Sequence, residues 1–118
     1  MRRDQRGAAT AELALGIPLL VSLTVGLVWL LAVGEAQVRV VDAARETARA
    51  AARGDADAEA VARGEQVAPG AVVTLVARDG NVVSTATASV APPGGLLAFL
   101  PAARVHAQAV AATEDSSP

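Results

Sequence analysis

Arg6-Gly7-Ala8-Ala9-Thr10-Ala11-Glu12 leads without a break into LALGIPLLVSLTVGLVWLLAVG, the uncharged stretch from Leu13 to Gly34. As a helix those 22 residues span about 33 Å, which matches a hydrocarbon core of about 30 Å. A carboxylate, Glu12, stands at the mouth of that segment. Hydrocarbon penalises a charged side chain by about 2.5–3.5 kcal/mol on insertion scales, so an ionisable residue there asks for a functional reason. Ala14, Pro18, Ser22 and Gly26 recur every fourth residue along the segment, a stripe of small side chains that lets a second helix approach closely. Pro18 removes one backbone hydrogen bond and bends the helix, which neighbouring helices in a membrane can tolerate.

No helix breaker follows Gly34 until Gly54, so the spacing predicts one helix from about Ala8 to Arg53. Glu35–Arg39, Asp42–Arg45 and Glu46–Arg49 are spaced to pair along it, and Val38, Val41, Ala44, Ala48 and Ala52 mark an apolar face. Gly54 suits the C-terminal cap. Asp55, Asp57 and Glu59 open a short helix expected to end near Arg63-Gly64. Pro69-Gly70 is a turn, and the β-branched runs Ala71–Arg78 and Val82–Val90 flank the hairpin signal Asp79-Gly80-Asn81. Ala103–Thr113 alternates Arg104, His106 and Gln108 with Val105, Ala107 and Ala109, as a strand with one wet face does. The expected class is α+β: a long N-terminal helix and a small C-terminal three-stranded antiparallel sheet laid on its extramembrane half.

Composition narrows the chemistry. The chain of 118 residues has no cysteine, one histidine, a net charge of −2 and two aromatic residues, Trp29 and Phe99. Disulfides and thiolate metal sites are therefore absent, and a nucleic-acid interface, which needs a basic face, is not expected. Asp55-x-Asp57-x-Glu59 starts like a calcium loop, but Ala60 and Gln66 stand where glycine and glutamate are required. No nucleophile–base pair or phosphate-binding glycine loop is visible, so the reading is of a non-enzyme with no catalytic residues, metal, cofactor or small-molecule substrate. The apolar run Leu96-Leu97-Ala98-Phe99-Leu100 either caps the sheet as core or docks on a membrane or another subunit.

A short basic leader ending in Gly7, a small first residue, Ala8, and glutamate at the fifth position after that glycine, Glu12, ahead of an apolar helix resemble the type IV pilin signal. More narrowly, AATAELALGIPLLVSLTVGL with Pro18, then Val41-Asp42-Ala43-Ala44-Arg45-Glu46, resembles the TadE-like minor pilins of tight-adherence (Flp) pili, short actinobacterial type. That resemblance implies a prepilin leader at 1–7, a transmembrane half of the pilin-like helix at 8–34 and an extramembrane half at 35–54. A helix-plus-sheet domain at 55–113 and a disordered tail at 114–118 complete the expected organisation. It implies cleavage between Gly7 and Ala8 by a prepilin peptidase, with Glu12 neutralising the new terminal amine as a register pin for assembly. The implied partners are that peptidase, other pilins, the pilus assembly platform and membrane lipid. The N-terminus would be cytoplasmic and the domain extracytoplasmic or in a surface pilus. Two alternatives remain open: a static single-pass envelope anchor, and a secretory signal peptide cut after Ala32-Val33-Gly34.

Overall fold

The computed structural model describes residues 2–114, with side chains from residue 4 onward. The tail 115–118 lies outside the described residues, so the expectation of disorder there has no counterpart below. Glu114, included in that tail, is ordered by a backbone bond: its N–H donates to the carbonyl of Ala52 at 3.1 Å.

Helix α1 runs from Arg2 to Ala52, a single rod of 51 residues that gives the molecule its 92 × 20 × 17 Å extent. It begins within the basic leader rather than near Ala8, and it passes through Pro18 without interruption. Its end is a Schellman motif. Gly54 takes φ +98°, its N–H donates to Ala51 O, and the Asp55 N–H reaches back to Ala50 O. Glycine adopts that left-handed conformation at little steric cost, which is why the helix stops there.

Helix α2 (Asp57–Val67) folds back on α1, followed by strands β1 (Val72–Arg78), β2 (Asn81–Val90) and β3 (Ala103–Ala112). A 3-10 turn, Gly95–Leu97, interrupts the β2–β3 connection. The strands form an antiparallel sheet in chain order, β1-β2-β3. Arg78 pairs with Asn81 across a two-residue turn in which Asp79 (φ 51°) and Gly80 (φ 77°) are both left-handed. That is the conformation Asp-Gly favours, and it sets the register of β1 and β2. The α+β class and its three-stranded sheet are as the sequence predicts.

One face of the sheet packs on the distal half of α1. Val73, Val82, Ser84, Ala86 and Val105 are buried from the strands, and Val40, Ala43, Ala44, Thr47, Ala48 and Ala50 from the helix. Arg104, His106 and Gln108 point away into solvent, as the alternation of β3 predicts. The core contains nothing larger than valine among its fully buried side chains. Alanines bring the layers close together, and each contributes less burial energy than leucine would.

Three local expectations need correction. Of the expected apolar face of α1, Ala44, Ala48 and Ala52 are buried, whereas Val38 is exposed and Val41 only half-buried, and Val40, Ala43, Thr47 and Ala50 are buried as well. Two neighbours, α2 and the sheet, wrap this helix, and its alanines populate every face, so no narrow stripe could mark the contact. Helix α2 continues past Gly64 to Val67. Gly64 is there for proximity: a Cβ on it would overlap Thr47 Oγ1 and stand 3.2 Å from Ala43 O. Of the three spaced ion pairs, Arg39–Glu35 closes, while Asp42–Arg45 and Glu46–Arg49 form none among the described residues.

Candidate functional site

The proximal half of α1 is apolar and unburied. Leu13, Leu15, Ile17, Leu19, Leu20, Val21 and Leu23 all stand more than half exposed, and so do Leu27, Val28, Leu30 and Leu31. The rest of the chain forms an ordinary core, so this surface is not left over from incomplete folding. It is long and apolar enough to cross a membrane, and none of its most apolar window is buried within the chain.

Polar groups on this half are handled locally. Thr10 Oγ1 donates to Arg6 O at 2.9 Å and Thr24 Oγ1 to Leu20 O at 2.9 Å. These bonds one turn back satisfy each hydroxyl within the helix itself. Pro18 has no N–H, so the Ala14 carbonyl one turn earlier loses its helical donor. Glu12 is exposed and makes no ion pair among the described residues. Its carboxylate therefore has no partner within the described chain.

Gly7 and Ala8 lie on the exposed first turns of α1, and a Cβ built on Gly7 would meet nothing within 4 Å. Helical geometry covers the Gly7–Ala8 bond, so a peptidase that binds an extended chain would have to unwind this turn. The small stripe divides in two. Ala14 and Pro18 are exposed, but Ser22 and Gly26 are half-buried. Leu97 accounts for the difference: its Cδ1 would stand 3.6 Å from a Cβ on Gly26. Ser22, Gly26 and Trp29 line one groove with Leu97 and Leu100. The β2–β3 connection thus claims the upper half of the stripe, leaving Ala14 and Pro18 open to another helix.

The same connection settles how the Leu96–Leu100 run behaves. Phe99 is 80% exposed and Leu96 65% exposed, so neither caps the sheet as core. Residue-type patterning could not separate these readings, because an uncharged run bounded by Pro and Gly looks the same whether it covers a core or faces lipid. Trp29 was also silent in the sequence, yet it lies beneath this loop with its Nε1 covered and without an acceptor.

At the distal end, Asp55 stands 3.9 Å from Arg53 and 3.6 Å from Arg63, long contacts that tie the α1–α2 corner together weakly. No group of three or more metal-ligating side chains occurs among the described residues. The Asp55, Asp57 and Glu59 carboxylates belong to the corner and the first turn of α2.

Residues 7–49 match the family model described as TadE-like protein. The "Apoptosis inhibitor Rv3655c" of Mycobacterium tuberculosis (strain ATCC 25618 / H37Rv) is 45% identical over 83 residues, 69% of this chain. The chain spans 59% of that protein's length. No solved structure matches.

Proposed function

We propose that this chain, whose residues 7–49 match the TadE-like family model, is a membrane-associated minor pilin or pseudopilin of the Tad pilus system. In this reading a prepilin peptidase cuts between Gly7 and Ala8 on the cytoplasmic side, and the extracytoplasmic domain rides on the distal half of α1. The subunit then leaves the bilayer and packs by its apolar helix against neighbouring pilins and the assembly platform.

The observation that supports this most is the unburied apolar half of α1, continuous with a folded head and carrying one unpartnered carboxylate near its start. Lipid satisfies the leucines but not Glu12. A buried carboxylate without a partner is costly, and an amine created at Ala8 supplies one, either one turn away in the same chain or on an adjacent subunit. Glu12 would then fix the axial register of neighbouring helices. The exposed Ala14 and Pro18 lie about half a turn and about one and two-thirds turns further on, where a partner helix can approach closely and donate to the vacant Ala14 carbonyl.

A static single-pass anchor is the second reading, and the helical start at Arg2, which covers the cleavage bond, favours it. The N-terminal residue of the membrane-extracted protein separates the two. Ala8 is the expected first residue. A mature chain still beginning at Met1 would overturn the pilin reading, and one beginning at Glu35 would point to a signal peptide.

A further inference from the structure

We propose that the connection between β2 and β3 is a second membrane contact, in which Leu96 and Phe99 reach into the lipid interface beside α1. This rests on the reading of the proximal half of α1 as membrane-embedded, and it goes beyond it by assigning a lipid surface to a loop of the extramembrane domain.

Position carries the argument. The loop is fastened to α1 at Gly26 through Leu97, and Trp29 lines one groove with Leu97 and Leu100 and another with Val90, Ala91 and Pro93. It therefore sits two turns below Gly34, beside a helix surface whose leucines are exposed on every open side. Phe99 and Leu96 stand at 80% and 65% exposure on this same loop, whose Leu97 and Leu100 line a groove with α1.

Charge draws the same boundary on both elements. On α1 the first charge after the apolar stretch is Glu35, paired with Arg39. On the sheet no charged residue occurs between Ala88 and Ala103, and the first to follow is Arg104, in register with Ser89. Ser89 in turn lines a groove with Glu35 and Arg39. The polar level of the helix and the polar level of the sheet thus coincide, with the loop below both.

The loop backbone suits an interface, where unpaired polar groups are costly but water is near. Pro92, Pro93 and Pro101 have no N–H to desolvate, and the N–H groups of Ala98 and Leu100 donate to Gly95 O and Leu97 O. Irregular backbone does not sit in hydrocarbon facing lipid, so the loop must mark the headgroup zone. Trp29 then falls at the depth where tryptophan is enriched. The hydrocarbon segment becomes Ala8 to about Gly26, about 27 Å long, instead of Leu13 to Gly34. Glu12 then lies one turn inside.

The absence of cysteine makes the test clean. Phe99→Cys, Leu23→Cys and Ala58→Cys variants of the full chain each carry a nitroxide label in vesicles of phosphatidylcholine and phosphatidylglycerol. Collision with dissolved oxygen is compared with collision with a water-soluble nickel chelate. The oxygen preference should be severalfold higher at positions 99 and 23 than at position 58, which lies on the exposed face of α2. A label at 99 that behaves like the one at 58, while 23 reports lipid, overturns the loop contact and leaves the membrane helix standing. A label at 99 shielded from both reagents means a protein partner covers it, which also overturns the proposal. An aqueous signal at 23 removes the membrane reading and the loop contact together.

Discussion

Replacing Gly64 with alanine should destabilise the domain, and the size of the effect follows from what surrounds that position. The added Cβ overlaps Thr47 Oγ1 and stands 3.4 Å from Thr47 Cβ and 3.2 Å from Ala43 O, on a helix face buried against α1. Overpacking of this kind costs about 1–3 kcal/mol, against about 0.8–1.0 kcal/mol gained by exchanging glycine for alanine inside a helix. The net loss should be up to about 2 kcal/mol, which for a domain this small lowers Tm by up to roughly 15 °C. Thr47→Ala removes the overlapping oxygen. By itself that change should be close to neutral, because the lost methyl, worth about 1 kcal/mol, is offset by deleting a buried hydroxyl that has no hydrogen-bond partner. In the Thr47→Ala background, Gly64→Ala should therefore cost little or nothing. Thermal unfolding of the four proteins in detergent micelles, followed by circular dichroism, gives the coupling directly. Equal losses from Gly64→Ala in both backgrounds would show that Thr47 is not the steric stop and that the close α1–α2 approach has been misread.

Ser84→Ala should hold or raise Tm, since Ser84 is fully buried at the centre of the sheet and its hydroxyl has no acceptor; a clear loss of stability would mean the hydroxyl is bonded after all. Gly80→Val should lower stability by about 1–2 kcal/mol in denaturant titrations, because Gly80 holds φ 77° in the hairpin turn and a β-branched residue resists that conformation. Glu12→Ala should leave insertion and leader removal intact, measured by membrane fractionation and mass, yet abolish incorporation into fibres. Normal fibres would refute the register role. Gly7→Val should leave the leader attached, read as a mass that retains the leader; normal trimming would exclude recognition of that glycine.

Period and punctuation carried most of the architecture. The long breaker-free run ahead of Gly54, the Asp79-Gly80 turn and the alternation of Arg104, His106 and Gln108 each encode geometry locally, and each element appears where its signal lies. What stayed illegible depends on contacts between segments. Alanine on every face of α1 hides how far the covered side extends, so the burial of Val40 and Thr47 beside Ala44, Ala48 and Ala52 could not be read. Gly64 looks like a helix stop until the neighbouring Thr47 is known to fill its space. At the candidate site, the order Gly7, Ala8, Glu12 is written in the chain, whereas the capture of Gly26 by Leu97 joins residues 71 positions apart and leaves no local trace.

Because α1 has no joint between its exposed apolar half and Ala52, and the sheet is laid along it, the head has no independent means of turning. Any lean of the rod is transmitted to it in full. From Gly26 to Ala52 the rod runs about 39 Å, so a tilt of about 20°, ordinary for a membrane helix, swings its far end sideways by about 13 Å. The bilayer, through helix angle alone, would thereby dictate where the head's outer surface is presented to whatever stands beside it.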